Sequence, residues 1–340
     1  MLFIAGLNNK SASGRQRLWA IQQCGIEVTT VNIDQFKSKF GSVTNTLAKL
    51  FKRPEFTKNI FKLEKKILQI CQNEHPKIIW FEWPKDFKTQ FIERLKIKLP
   101  NSIFISFQDD NPWGDRVNDF WMWKNYFRLI PYFDLHLIKR ESDYINLVAN
   151  GGKSFYYWKH GVYNPIFFPM KQELKYKISF IGTCMDSRAD LIEFLLENGI
   201  PIHVFGSHWK KRSNLPKRFP NNFHDEVVGY DYANVIRSSQ ICLGLVSKSN
   251  HDEWTMRTFE VPGCAKLLLA EKTQFHQELF VEDKEIQLFN GKEECLKKIQ
   301  YLLIEPELCD DIGRAAHQKC LIKGWFIEIN MKNFLDKLSL

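Results

Sequence analysis

The stretch "KISFIGTCMDSRADLIEFLLENGIPIHVFG" (177–206) contains the pattern that decides the fold. A short apolar run ends at Gly182, and a polar loop follows it. A helical pattern covers "SRADLIEFLLENG" (187–199) and closes on a glycine, which is typical of a helix end. A second apolar run follows in "IPIHVFG" (200–206). Two strands joined through a helix predict a parallel β–α–β unit.

The same alternation of strands and helices extends along the chain in two series. The first has candidate strands at 2–6, 26–33, 77–83, 102–107, 133–138 and 154–158. The second has candidate strands at 177–182, 200–206, 240–246, 265–270 and 285–289. We therefore expect an α/β protein of two Rossmann-like domains with parallel sheets that face each other across a cleft.

The segment "VYNPIFFPMKQ" (162–172) carries two prolines and predicts the linker between the two series. We place the first domain at 1–165 and the second at 166–320. Residues 321–340 are expected to form a C-terminal helix that packs back on the first domain.

Composition predicts a cytoplasmic protein with ample material for two cores. The chain has 340 residues, of which 44% are hydrophobic. Its eight cysteines include no C-x-x-C pair, so reduced thiols are expected. The start "MLFIAGLNNK" lacks the pattern of a signal peptide, and no apolar run approaches the roughly 20 residues of a membrane helix. Any membrane contact is therefore expected to be peripheral, at the inner face.

The formal net charge of +9 predicts anionic partners. A phosphorylated substrate, a membrane surface and DNA all fit. The lysine-rich region 45–66 and "KKRSNLPKR" (210–218) are the basic segments that would contact lipid or nucleic acid. An AT-rich gene that inflates the lysine content explains the charge equally well.

Candidate binding residues follow the strands of the first series, where parallel sheets place their ligands. Gly6 and Ser13 belong to the small, polar stretch after the first strand, which could offer backbone N–H groups to an anion or be a plain loop. Asp110, in "QDDNPWGD" (108–115), is a candidate catalytic carboxylate or a turn cap. His160 precedes the linker and is either a catalytic base or a structural histidine.

The second series offers Gly182 and Arg188 as ligands for a diphosphate. Gly182 ends a strand, and Arg188 lies in the first turn of the next helix, where it adds a full charge to the helix dipole. A surface arginine is the alternative.

Several common site types are absent from the sequence. The loop after the first strand is neither G-x-G-x-x-G nor a P-loop, and the chain has no G-x-S-x-G elbow. The nine histidines show no H-x-H or H-E-x-x-H spacing, so no metal or bound cofactor is expected.

The stretch "MRTFEVPGCAKLLLAEKTQFHQELFVEDKEIQLFNGKEECLKKIQYLL" (256–303) resembles the C-terminal half of CgeB-like GT-B glycosyltransferases. "KISFIGTCMDSR" (177–188) and "VFGSHW" (204–209) resemble the strands that open the donor domain of that family. "HGVYNPIFFP" (160–169) and "QDDNP" (108–112) are similar to segments of the acceptor side. The likeness covers about 100–325.

The resemblance implies a transferase that moves a sugar from a nucleoside diphosphate sugar, with UDP favoured, to a hydroxyl acceptor without a metal. It places Glu260 on the donor ribose and Arg257 on the diphosphate; an ion pair between the two on a helix surface is the alternative. The first acidic position of the family's E-x7-E motif falls on Asp252 or Glu253, so retention of configuration is implied but open. Asp110 or His160 would orient or deprotonate the acceptor.

Three other functions remain open from the sequence. The basic segments would suit an enzyme that glycosylates DNA bases. GT-B folds also host nucleotide-sugar epimerases and hydrolases. A non-catalytic protein that only binds nucleotide sugars is the last alternative.

Overall fold

The computed structural model of the chain describes residues 1–8, 13–38, 41–116 and 119–338. The chain divides into two compact units, Met1–Lys159 and His160–Leu340. None of the helices within the described ranges combines the length and hydropathy needed to cross a membrane. All eight cysteines are free thiols.

The first unit is a six-stranded sheet flanked by helices. Its strands are all parallel and lie in the order β2-β1-β3-β4-β5-β6. The elements are β1 Leu2–Ala5, α1 Ser13–Gln23, β2 Thr29–Asn32, α2 Gly41–Leu50, α3 Ile60–Glu74, β3 Ile78–Glu82, α4 Thr89–Lys98, β4 Ile103–Phe107, α5 Phe120–Leu129, β5 Leu135–Ile138, α6 Glu141–Ala149 and β6 Phe155–Tyr157.

The second unit repeats this architecture. Its six parallel strands lie in the order β12-β11-β10-β7-β8-β9. The elements are β7 Tyr176–Ile181, α7 Arg188–Glu197, β8 Ile202–Phe205, α8 Trp209–Arg212, α9 Leu215–Arg218, β9 Phe223–His224, α10 Tyr230–Arg237, β10 Ser239–Gly244, α11 Arg257–Gly263, β11 Leu267–Glu271, α12 Gln274–Leu279, β12 Gln287–Phe289, α13 Lys292–Ile304, α14 Pro306–Lys323 and α15 Ile327–Lys337.

The central strands are buried throughout, which explains why they read as nearly continuous apolar runs. Every residue of β1, β3 and β10 is buried, as expected for parallel sheets covered on both faces. The predicted α/β class with two parallel sheets is confirmed. The predicted cleft and the packing of 321–340 on the first unit stay predictions.

The second unit begins at His160, within the segment that resembles the end of an acceptor domain. Val162 N–H donates to the Trp325 carbonyl at 2.8 Å, and Ile327 N–H donates back to the Val162 carbonyl at 3.0 Å. Gly161 has φ +92°, and a Cβ there would lie 2.9 Å from the backbone of Phe326. Only glycine fits this close approach. The first residues of the second unit are therefore hydrogen-bonded to the backbone of the turn that precedes α15.

Candidate functional site

Two arginines lie at the carboxyl ends of β7 and β10 in the second unit. Arg257 begins α11 and donates through a terminal nitrogen to the Ile181 carbonyl at 2.8 Å. Arg188 begins α7 and donates to the carbonyls of Thr183 and Leu245 at 3.1 and 3.2 Å. Both helices begin after loops at the carboxyl-terminal edge of the sheet, so both guanidinium groups lie at this edge.

The charges of the two arginines are only partly compensated. The Nε atoms of Arg188 and Arg257 are buried and have no acceptor among the described residues. Burial, followed by the charge of Arg257, lowers the pKa of Arg188 to about 10, while the carboxylates of Asp186, Glu271 and Asp252 act in the opposite direction. Arg188 is still protonated at neutral pH. Two like charges held close in a partly desolvated site favour the binding of an anion.

Glu260 lies one turn after Arg257 and is buried. The Tyr232 hydroxyl, on α10, donates to Glu260 Oε2 at 2.6 Å. Burial raises the pKa of Glu260 to about 7, although the Tyr232 hydrogen bond and the charge of Arg257 both lower it. Because Glu260 is buried, the alternative of an ion pair on a helix surface does not describe this pair. The carboxyl can accept further hydroxyl donors once it is ionised.

A cavity of about 380 Å³ adjoins Arg188. It lies where α7 begins and where β10, β11 and β12 end, and Lys248, Glu271 and Lys292 are among its lining residues. A volume of this order is typical of small-ligand pockets.

Gly182 shapes the edge of this site through its backbone. Its N–H donates to the Phe205 carbonyl at 2.8 Å, and its carbonyl accepts from Trp209 Nε1 at 2.9 Å. A Cβ at Gly182 would lie 2.8 Å from the ring of Phe180. The Gly182 N–H is therefore engaged within the fold, and the lack of a side chain allows close packing at the strand end.

The loop that carries Asp252 and Glu253 closes over the start of α7. Asp252 Oδ1 accepts from Asn250 Nδ2 at 3.0 Å, and the Asp252 N–H donates to the Ser247 carbonyl at 2.9 Å. Ser247 in turn donates to Asp186 Oδ2 at 3.0 Å. Asp252 also acts electrostatically on Arg188, so this candidate acidic position is coupled to the arginine pair.

The first unit has a separate cavity of about 430 Å³ at the carboxyl ends of β1 and β3. Gly6 and Ser13, two of the predicted binding residues, line it together with Asp109, Glu82 and Asp86. Lys58 and Lys85 also line it. The carboxylates in the lining can accept hydrogen bonds from hydroxyl groups.

A buried arginine organises the floor of this cavity. Arg17 donates to both carboxylate oxygens of Glu82, at 2.8 and 2.6 Å, and to Asp109 Oδ2 at 3.2 Å. Ser13 Oγ donates to the same Asp109 oxygen at 2.5 Å. Burial raises the pKa of Glu82, and the adjacent Arg17 opposes that shift. The network holds Ser13 and Asp109 in fixed positions.

Asp110 pairs with Arg116 at 3.1 Å, so Asp109 is the carboxylate of the "QDDNP" segment that lines the cavity. His160 is buried at the start of the second unit, and its carbonyl accepts from Asn330 Nδ2 at 3.1 Å.

The loop after β1 is described only in part, because residues 9–12 of the predicted anion-binding stretch lie outside the described residues. The Leu7 N–H donates to Asn32 Oδ1 at 3.0 Å, and the Asn8 N–H donates to Asp34 Oδ2 at 3.1 Å. These two N–H groups are therefore engaged by side chains.

Comparison with known proteins agrees with this architecture. Residues 188–336 match the model of a family described as "Glycosyl transferase-like". No curated protein sequence matches the chain.

Solved structures cover nearly the whole chain at low identity. Sucrose-phosphate synthase from Thermosynechococcus elongatus superposes with a TM-score of 0.70 at 10% identity, over 99% of this chain and 98% of that one. Anabaena HepE in complex with UDP-glucose gives 0.64 at 10% identity, over 99% and 98%. A glycosyltransferase from Rickettsia africae gives 0.64 at 13% identity, over 98% and 97%. The chain has the GT-B fold. The family match to 188–336 confirms the predicted enzyme class, a glycosyltransferase.

The arginine pair and Glu260 therefore lie in the glycosyl transferase-like part of a GT-B chain. Three neighbours that the sequence did not single out complete the two sites: Tyr232 in the second unit, and Arg17 and Glu82 in the first. A signal existed for Glu82, because a carboxylate inside the apolar strand "IIWFE" must be paired when buried. Tyr232 follows an ordinary helical pattern and gave no such signal.

Proposed function

We propose that the chain is a CgeB-like GT-B glycosyltransferase that uses a nucleoside diphosphate sugar, most simply a UDP-sugar, and transfers the sugar to a hydroxyl. The partly desolvated pair Arg188 and Arg257 carries the proposal, because a diphosphate supplies the compensating charge that the pair lacks. UDP and UDP-glucose in the structures of HepE support the same ligand class.

The reaction breaks the bond between the anomeric carbon and the diphosphate oxygen and forms one to the acceptor oxygen, which loses its proton. Negative charge grows on the leaving diphosphate, where Arg257 and Arg188 stabilise it. Because these two positive charges can stabilise the leaving diphosphate, we propose that the transfer needs no bound metal. Glu260 would accept the ribose hydroxyls once Tyr232 holds its other oxygen. Asp252, near Arg188, is the better candidate for the sugar contact of a retaining enzyme.

The acceptor hydroxyl is proposed to bind in the first unit, in the cavity lined by Ser13 and Asp109. Asp109 takes the role that the sequence suggested for Asp110, because Asp109 is the carboxylate in the lining. His160 stays a predicted base.

The assay that tests this function measures nucleoside diphosphate release from UDP-, GDP- and ADP-sugars in the presence of EDTA. The proposal expects one donor to be consumed, with release accelerated by a hydroxyl acceptor. Isomerised sugar in the absence of acceptor would instead identify an epimerase. Consumption that stops in EDTA and returns with magnesium would contradict the metal-independent mechanism.

Donor binding is expected to strengthen as the pH rises toward about 7. The raised pKa means that Glu260 is protonated in much of the free protein below neutral pH. Ribose hydroxyls bind the ionised form, so the dissociation constant should fall by up to about tenfold per pH unit below 7 and level off above it. Calorimetric titration with UDP from pH 5.5 to 8.5 measures this. The same series with Glu260→Gln should be flat, and an identical slope in that variant would exclude Glu260 as the titrating group.

A further inference from the structure

Helix α2 of the first unit turns its large apolar side chains to solvent. The exposed residues recur at the i, i+4, i+7 and i+8 positions of one helix face, counting the residue just after the helix. They are Val43, Leu47, Leu50 and Phe51, with exposed fractions of 59%, 38%, 71% and 59%. Among the helix positions whose burial is described, those with the small side chains of Thr44 and Ala48 are buried, and the helix packs on the unit through them. A helix of a globular protein normally buries its large apolar face.

A strongly basic cavity of about 240 Å³ adjoins this apolar face. Five cationic side chains and one carboxylate line it. They are Lys52, Arg53, Lys88, Lys124, Arg128 and Glu55. Glu55 is engaged, because Asn125 Nδ2 donates to it at 3.1 Å and Lys88 Nζ lies 3.8 Å away. The cavity therefore keeps a large positive excess and favours an anionic group.

The apolar face and the basic cavity are held together by the turn that ends α2. Lys52 has φ +52°, and the Arg53 N–H donates to the Ala48 carbonyl at 2.8 Å. The ring of Phe56 lies between the two features: its centroid is 6.4 Å from that of Phe51 and 5.6 Å from the Arg53 guanidinium carbon. Apolar and cationic side chains thus form one continuous surface, defined here as the α2 surface (43–53 with 88, 124 and 128).

We propose that the α2 surface docks on a lipid bilayer that contains anionic phospholipid. The side chains of Val43, Leu47, Leu50 and Phe51 enter the boundary between headgroups and acyl chains, and the basic cavity takes a lipid phosphate. Nucleic acid would satisfy the charges but offers no environment for four exposed apolar side chains. The same segment continues to Thr57 and Lys58, which line the larger cavity of the first unit, so docking brings that cavity to the membrane surface.

Vesicle flotation of the full chain tests the proposal, with phosphatidylcholine vesicles containing or lacking phosphatidylglycerol. The apolar variant is Leu50→Ser with Phe51→Ser, and the charge variant is Lys124→Gln with Arg128→Gln. The matched control is Ile97→Ser on α4, which removes a 79% exposed apolar side chain between two lysines but lies outside the α2 surface. We expect binding only to the anionic vesicles, a loss of at least tenfold in both test variants, and no change in the control.

Binding of the apolar variant at the wild-type level would overturn the proposal. So would tight binding of a DNA duplex that depends on Lys124 and Arg128 but not on Leu50 and Phe51. All variants should keep the wild-type melting temperature, because the exchanged side chains are at the surface. The variants should also bind UDP like the wild type. A loss of vesicle binding can therefore be distinguished from a loss of nucleotide binding at the donor site.

Discussion

Replacing Glu260 with glutamine is expected to raise the thermal stability at pH 8 and, at the same time, to reduce donor-dependent kcat/KM by at least about a hundredfold. Stability rises because burial raises the pKa of Glu260 from 4.5 to about 7. A carboxyl with a raised pKa in the folded state stabilises the fold at low pH and loses that contribution between its unfolded and folded pKa values. Above pH 7 the folded protein carries a buried charge that glutamine lacks.

Glutamine keeps the acceptor for the Tyr232 hydroxyl but loses the negative charge that binds hydroxyl donors strongly. Hydrogen bonds to a charged group contribute about 1.5–3 kcal/mol each, so two ribose hydroxyls account for the loss of activity. The gain in melting temperature should disappear at pH 5, where the wild-type carboxyl is protonated. Glu285→Gln is the control, because Glu285 pairs with Lys319 at 2.8 Å outside the site and should leave kcat/KM unchanged. A variant of Glu260 with full turnover would show that this buried carboxyl serves the fold alone.

Replacing Arg257 with methionine is expected to lower kcat by about 10² to 10³. Methionine retains the length and apolar stem of the side chain but removes the guanidinium aimed at the leaving diphosphate, a loss of about 2.7–4 kcal/mol in comparable electrostatic sites. The fold should tolerate the change, because methionine keeps the packing of the stem and the hydrogen bond that is lost goes to a backbone carbonyl, that of Ile181. The pKa of Arg188 should rise toward its ordinary value, since Arg257 is one cause of its lowering.

The measurement compares kcat and KM for the wild type, Arg257→Met and Arg257→Lys. Lysine keeps the charge and should recover part of kcat, because it lacks only the fork geometry. Arg218→Met is the control, since Arg218 pairs with Glu193 and Glu197 on the surface of the unit. An effect confined to KM in Arg257→Met would assign the residue to ground-state binding instead of the leaving group.

The architecture was predictable from the sequence because buried parallel strands are apolar on both faces. Each of the eleven predicted strands corresponds to a strand of the structure, whereas β9, with only Phe223 and His224, is too short to produce a pattern. The orientation of α2 was not predictable, because an amphipathic pattern predicts that the large apolar face is buried, whereas α2 exposes it.

Site residues were predictable where they directly follow a strand. Their hydrogen-bond partners were less predictable where those partners lie on a distant element of the chain. Arg188 and Arg257 come together because two loops end at the same sheet edge, which the strand order alone dictates. Tyr232 reaches Glu260 from a helix 28 positions earlier in the chain, and no local pattern encodes that contact. The choice between Asp109 and Asp110 depends on the turn after β4, which directs Asp109 toward Arg17 and Asp110 toward Arg116.

The central claim is that the second unit binds a nucleoside diphosphate through its arginine pair. Calorimetric titration of the full chain with UDP, GDP and ADP, and with the matching nucleosides, tests it most directly. We predict that one diphosphate binds and that its nucleoside binds at least a hundredfold more weakly, because the nucleoside cannot compensate Arg188 and Arg257. Equal affinities for the diphosphate and its nucleoside, or no binding by any of them, would contradict the claim.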